Sequence, residues 1–469
     1  MLNRVFLLPL LAHLAVGWWM IRYPVALPSE DALFFARGLT HFSVLEFSPH
    51  FPGYPGLMLL GRLVLLVIAD PVRALWLVTV STALLLPVAM AWAVARLGGR
   101  PLLAYALGLT LPLLSCLGLS LLSDGLGVFF LVLFIGLCAR PSVRAWGWGG
   151  AVLGMALACR PSAGVFVVVA LGLALWLAPQ AGGVRWRPRV MILTGMMAVL
   201  LPLFGTVFLL EGWPYVAEGW RFLYGHLFLW GQTMVSETAV RPSWSQSLRS
   251  LPVGRLWAVV MLGVAAALAV SLGKVFCRRG RLIPAGWLIL AGTWGAATAW
   301  TLAFQNPANP RHLAPVLVLL ALMLASLPRR WARGMGWSVV ALQASMAWFT
   351  LDVRHSPAER FPPAHTAVQV IDAFARPGQG ETRPVTLFSN TALELFRHEL
   401  PMVTVVDAYY RDDTESVMRT TSGCLLRIST QPWSGRFGDR LATFERTFAG
   451  RFWGEGALYL YGTRECVSR

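Results

Sequence analysis

The chain has 469 residues, of which 57% are hydrophobic and only 13% charged, with a formal net charge of +17. Soluble domains carry about 25% charged residues, so the composition excludes an ordinary soluble enzyme and predicts an α-helical polytopic membrane protein. The positive charge does not point to nucleic acid, because the basic residues are arginines apart from Lys274, and many lie in short loops between apolar blocks, as topology signals do.

The first apolar block, 5–21, follows a basic start and is not followed by a small-x-small cleavage site, so it reads as an uncleaved span. Further blocks lie near 74–95, 101–117, 125–138, 147–159, 162–178, 190–210, 253–272, 285–303, 313–327 and 337–350. A hydrocarbon core of roughly 30 Å needs about 20 apolar residues in a helix, which predicts about 11 spans. With the N-terminus in the cytoplasm, Arg96, Arg100, Arg140, Arg144, Arg185, Arg187, Arg189, Lys274, Arg278, Arg279, Arg281, Arg329, Arg330 and Arg333 all fall on the inner side. The two long outer loops hold arginines too, among them Arg22, Arg37, Arg221 and Arg241.

One block resists. Counting "PGLMLLGRLVLLVIAD" (Pro55 to Asp70) as a span would put the arginine clusters outside. It therefore reads as an interfacial helix inside a first outer loop, 22–73, with Arg62 snorkelling to the headgroups. The acids test this topology independently. Before residue 351 they are Glu30, Asp31, Glu46, Asp70, Asp124, Glu211, Glu218 and Glu237, and every one falls on the outer side or at an outer span end. Acids scarcely steer topology, so their placement points to chemistry on the outer face.

After Thr350 the composition changes. "SPAERFPPAH" reads as a linker, "PVTLFSN", "PMVTVVDAYY", "GCLLRIS" and "ALYLYG" as strands, and "TALELFRHEL" and "RLATFERTFAG" as helix-like. This predicts a small extracytoplasmic α/β domain over 351–469, behind a membrane domain over 1–350. Cys116, Cys138 and Cys159 read as packing residues. An extracytoplasmic location would allow Cys424 and Cys466 to pair, and no C-x-x-C or H-E-x-x-H metal spacing occurs.

Several constellations could carry chemistry, and each has a plainer explanation. Glu30 and Asp31 are simply solvated, or they act beside the rigid "SPHFPGYPG", where His50 and Tyr54 offer hydrogen bonds to a sugar or phosphate. Asp124 in "LSDGLG" is a helix cap or a substrate ligand. Arg160 in "ACRPSAG", and Arg311 and His312 in "NPRHLAP", join Arg62 and Arg73 near outer span ends; each is a headgroup anchor, or the arginines together hold a phosphate. The Trp- and Tyr-rich loop 211–252 is an interfacial belt or a binding wall.

These motifs, in this order, resemble the GT-C superfamily of membrane glycosyltransferases, which use polyprenyl-phosphate-linked sugars and include protein O-mannosyltransferases and aminoarabinose transferases. The resemblance covers most of residues 1–350: the acidic pair, "H-x-P-G-Y-P" from His50 to Pro55, Arg73 before the second span, Ser123–Asp124, Arg160–Pro161, and Arg311–His312 with Pro315. It departs in reading Glu-Asp where many mannosyltransferase members read Asp-Glu, and in lacking the sequon-binding "WWD" of oligosaccharyltransferases.

The resemblance implies inverting transfer of one sugar from a polyprenyl-phosphate donor to an acceptor hydroxyl on a lipid, glycan or protein. Asp31 would be the general base with Glu30 supporting it, and Arg73, Arg160 and Arg311 would meet the phosphate. No cofactor is required in that scheme, and a divalent metal is optional. The implied location is a bacterial inner membrane, in contact with its lipids, with the active side outward. The rival readings are a lipid-linked saccharide flippase or transporter, which would be expected to show internal repeats that the sequence lacks, and an O-antigen polymerase or ligase.

Overall fold

The computed structural model describes residues 4–140, 142–178, 186–225, 228, 243–249, 259–266, 284–307, 309–327, 330–350, 361–376, 384–408, 411–432, 438–445 and 456–467. The chain divides into two compact units, Met1–Val25 with Phe34–Asp352, and Ala26–Leu33 with Val353–Arg469. The short segment Ala26–Leu33, which the sequence places in the first outer loop, thus packs as part of the C-terminal unit.

The first unit is helical. Its elements are α1 (Arg4–Ile21), the C-terminal part of α2 (Glu30–Thr40), α3 (Pro55–Leu65), α4 (Pro71–Arg96), α5 (Pro101–Leu109), α6 (Leu114–Leu119), α7 (Asp124–Ala139), α8 (Val143–Cys159), α9 (Gly164–Leu177), α10 (Arg187–Glu211), α11 (Trp213–Tyr224), α12 (Trp244–Arg249), α13 (Ala285–Phe304), α14 (Ala314–Ser326) and α15 (Arg330–Thr350). Local chemistry sets several starts. Asp70 caps α4, accepting from the Val72 and Arg73 amides at 2.8 and 3.1 Å, with Pro71 at the first helical position. Ser142 caps α8 through the Ala145 amide.

Among the described residues three helices are long and apolar enough to cross a membrane, α4, α10 and α13, or four if the pair Val143–Cys159 and Pro161–Leu177, bent by 120°, forms one span. This corrects the expected count of about 11. The 26 residues of α4 reach about 39 Å at 1.5 Å per residue, whereas the 16 of α7 reach about 24 Å, short of the roughly 30 Å core. The expected span 101–117 is broken into α5 and α6, because Pro112 lacks an amide donor and turns Leu111 away from helical geometry. The expected span 253–272 lies largely outside the described residues.

Packing is closest between α8 and α10, where a Cβ on Gly150 would run into the Ile192 carbonyl and one on Gly195 into that of Gly147. Such small residues let membrane helices approach backbone to backbone. Helix α14 is buried along nearly its whole length, apolar on every side and therefore central. The 3-10 turn Pro310–Leu313 leads into it and carries Arg311 and His312.

The second unit holds α16 (Pro363–Ala375), α17 (Leu393–Glu399), α18 (Arg411–Thr420), α19 (Arg464–Val467) and a five-stranded sheet. The strands are β1 (Val385–Ser389), β2 (Thr404–Asp407), β3 (Cys424–Ser429), β4 (Asp439–Phe444) and β5 (Leu458–Gly462), in the order β2-β1-β3-β5-β4. β1 pairs parallel with β2 and β3, so helices cross between them, and β5 pairs antiparallel with β3 and β4. Part of "RLATFERTFAG", read as helix-like, is the edge strand β4: pairing with β5 overrides its local preference. Cys424 at the start of β3 is bonded to Cys466 in α19.

Candidate functional site

Three helix ends of the first unit converge on Asp124, the first residue of α7. Arg160, where α8 stops, places Nη2 2.9 Å from its Oδ1, and Nη1 donates to Ser123 Oγ at 3.1 Å. Arg311 brings Nε to 4.0 Å from Oδ2. The side chains of Asp124, Arg160 and Arg311 are 8, 17 and 11% exposed, so this is a buried ionic cluster. Gly127, one turn along α7, makes room for it, since a Cβ there would lie 2.7 Å from the Cβ of Arg160.

Among the described residues, two guanidinium groups face this one carboxylate. Buried charge is costly unless paired, and ionisable residues within apolar segments commonly mark substrate or ion sites. The cluster opens onto a cavity of about 30 Å³ lined by Asp124, Arg160, Trp300, Thr301, Gln305 and His312, among others. The His312 carbonyl accepts from Thr301 Oγ1 at 3.2 Å, tying α13 to the turn before α14. The sequence singles out Asp124, Arg160, Arg311 and His312 but not Gln305, Thr301 or Trp300. Gln305 has a signal, a polar residue closing an apolar helix just before "NP"; Trp300 and Thr301 look like ordinary helix residues.

Other expected residues lie elsewhere in the first unit. His50 Nε2 and Tyr54 Oη are 3.1 Å apart, and both rings pack on Phe35. The loop they share is clamped by the start of the aromatic segment: Tyr215 Oη donates to the Pro52 carbonyl at 3.2 Å, Phe51 packs on Tyr215 and Phe222, and Glu211 accepts from the Val44 amide at 2.9 Å. Burial pushes the Tyr215 phenol up to about 12. Most of loop 211–252 beyond α11 lies outside the described residues.

Arg62 corrects its expected snorkelling. Its guanidinium turns back to donate to the carbonyls of Leu39 and Gly38 at 3.2 and 3.3 Å, satisfying the C-terminal end of α2. Those carbonyls carry partial negative charge that favours a cation. Arg73 is exposed and sits 3.7 Å from Asp70, its partner one turn back.

Glu30 and Asp31 open α2 and belong to the C-terminal unit. Glu30 Oε1 accepts from the Glu394 amide, the second residue of α17, at 2.7 Å. Burial raises the Glu30 pKa above the ordinary carboxylate value; the bond to the Glu394 amide opposes the rise, and the charges of Asp31 and Glu394 add to it. Among the described residues no three His, Cys, Asp or Glu side chains gather where they could hold a metal ion.

No protein-family model and no curated protein sequence matches the chain. Its fold, however, is similar to that of solved structures. The crystal structure of ArnT from Cupriavidus metallidurans, bound to undecaprenyl phosphate, is similar over 97% of both chains, with a TM-score of 0.52 and 14% identity. The oligosaccharyltransferase of Archaeoglobus fulgidus in its apo form is similar over 90% of this chain and 69% of its own, with a TM-score of 0.50 and 11% identity.

Proposed function

We propose that the chain is an integral membrane glycosyltransferase that moves one sugar from a polyprenyl-phosphate donor to an acceptor hydroxyl on the outer face of a bacterial inner membrane. The observation that carries this reading is the buried Asp124–Arg160–Arg311 cluster, two guanidinium groups held on one carboxylate beside a cavity. The ArnT likeness supports the donor class, since that structure holds undecaprenyl phosphate.

In this reading Asp31 takes the proton of the acceptor hydroxyl as its oxygen attacks the anomeric carbon. The bond from that carbon to the phosphate oxygen breaks with inversion. Polyprenyl phosphate leaves as an anion that needs cations more than a proton. Arg160 and Arg311 meet the developing charge, and Asp124 holds both guanidinium groups in place before the donor arrives. His312 and Arg73 make further donor contacts, while His50, Tyr54 and Arg62 shape the first loop through the bonds they make. A positioned base contributes about 10²–10⁴ in rate.

The division at residue 350 and the outward C-terminal domain are part of the proposal. The Cys424–Cys466 bond supports the outward placement, because disulfides persist in oxidising compartments. The test is purified protein in nanodiscs with labelled undecaprenyl-phosphate sugars and envelope acceptors. Replacing Arg160 with Ala should lower transfer by about 10²–10³ while the protein stays folded; full activity in that variant would sink the phosphate assignment.

A further inference from the structure

We infer that Glu30 is a positioning residue: its carboxylate caps α17 of the C-terminal unit and thereby fixes the turn of α2 that carries Asp31. This rests on the reading of Asp31 as the base. Helix α17 needs a cap from outside its own sequence. It starts after Ala392, held at φ 49° in the left-handed region, and no side chain at that position caps it. The first amides of any helix lack intrahelical acceptors. Ser389, at the end of β1, is engaged within its own turn, accepting from the Thr391 amide and donating to the Thr391 carbonyl. The acceptor for the Glu394 amide is Glu30, 364 residues away in sequence.

The same contact constrains Asp31. The first turn of α2 is closed locally by Ser29, whose carbonyl accepts from the Leu33 amide at 3.2 Å and whose hydroxyl lies 3.4 Å from the Ala32 amide. Neighbouring side chains on a helix leave it about 100° apart. With Glu30 held on α17, the helix turn that carries Asp31 is held with it. Among the described residues, the charges that act on Glu30 are those of Asp31 and Glu394, and Glu394 is itself paired with Arg397 at 2.7 Å. Glu30 is thus surrounded by acids and spends an oxygen on a backbone amide. That suits an anchor, and it divides the labour in the Glu-Asp pair under this inference: Glu30 positions, Asp31 accepts the proton.

Glutamine preserves the acceptor oxygen and alanine removes it, so the two substitutions separate anchoring from proton transfer. Full-length protein in nanodiscs is compared as wild type, Glu30→Gln, Glu30→Ala and Asp31→Asn, by hydrogen exchange of segment 390–399 and by transfer from radiolabelled undecaprenyl-phosphate mannose, glucose and aminoarabinose. Glu30→Gln should keep the protection of the Glu394 amide and stay within about threefold of wild-type transfer. Glu30→Ala should speed that exchange about fivefold, as loss of a helix cap does, and lower kcat about tenfold with little change in donor KM. Asp31→Asn should lose transfer with exchange unchanged. Loss of transfer in Glu30→Gln as complete as in Asp31→Asn, or unchanged exchange in Glu30→Ala, would overturn the inference. Wild type that transfers none of the three sugars would count against the base reading, while the exchange data alone would still uphold or sink the cap.

Discussion

Asp124 and Glu30 are both drawn out of water, and the protein compensates them by different means. Asp124 is compensated by cations, Arg160 at 2.9 Å and Arg311 at 4.0 Å. Glu30 has acids beside it and is held by a backbone amide. A carboxylate that preorganises cations serves an anionic ligand; a carboxylate that caps a helix serves geometry. Both were acids expected on the outer side, Glu30 in the first outer loop and Asp124 at a span end, so sidedness does not distinguish them, and their partners do.

Substitutions can break this contrast, beginning with the largest expected effect. Asp31→Asn should cut sugar transfer by about 10²–10⁴ in a protein that still unfolds at the wild-type temperature; transfer at the wild-type rate would move the base elsewhere. Arg160→Ala should cost about 10²–10³ in kcat, the usual loss when one donor to a developing anion is removed. Arg160→Lys should recover only part of it, because a lysine cannot reproduce the forked contact with Asp124 and Ser123.

Stability measurements sharpen the comparison. Asp124→Asn removes the carboxylate that Arg160 and Arg311 share, and breaking a buried pair costs about 3–5 kcal/mol. Thermal unfolding of the helical unit should register it, and a Tm unchanged from wild type would show the cluster to be well hydrated. In the other unit, replacing Cys424 and Cys466 with serine frees a loop with a sequence separation of 42, worth about 4 kcal/mol in the chain-entropy account. Its unfolding midpoint should fall while that of the helical unit stays.

The smallest effect is a pH slope. The folded Glu30 pKa lies above its ordinary value of 4.5, so the folded chain keeps a proton that the unfolded chain has lost. Its contribution to stability is full below the ordinary value and falls as pH rises through the raised one. Glu30→Gln should flatten that part of the profile in scanning calorimetry; an unchanged slope would assign it to another group.

Much of the site was legible in sequence, because ionisable residues in apolar stretches stand out. Asp124, Arg160, Arg311 and His312 were each visible for that reason. Their convergence was not, since helix packing brings them together and nothing local encodes it. The roles of Arg62 and Glu30 were hidden more deeply, because their partners are backbone groups, the carbonyls of Gly38 and Leu39 and the amide of Glu394, which every residue possesses. The strands β1, β2, β3 and β5 were readable from short runs of branched and aromatic residues bounded by turn formers. β4 was not, because an edge strand with exposed polar residues resembles a helix until its partner β5 is known. Hydropathy blocks overstated the number of spans, because proline breaks and helices of 16 residues or fewer are invisible to composition alone.

The most direct test is a product analysis of wild-type protein in nanodiscs given undecaprenyl-phosphate sugars labelled in the sugar, with envelope acceptors. The account predicts that label moves to an acceptor with inverted anomeric configuration, and that undecaprenyl phosphate is released in equal amount. Intact donor with every sugar and acceptor, together with donor crossing the bilayer in proteoliposomes, would contradict it and identify a lipid-linked saccharide transporter instead.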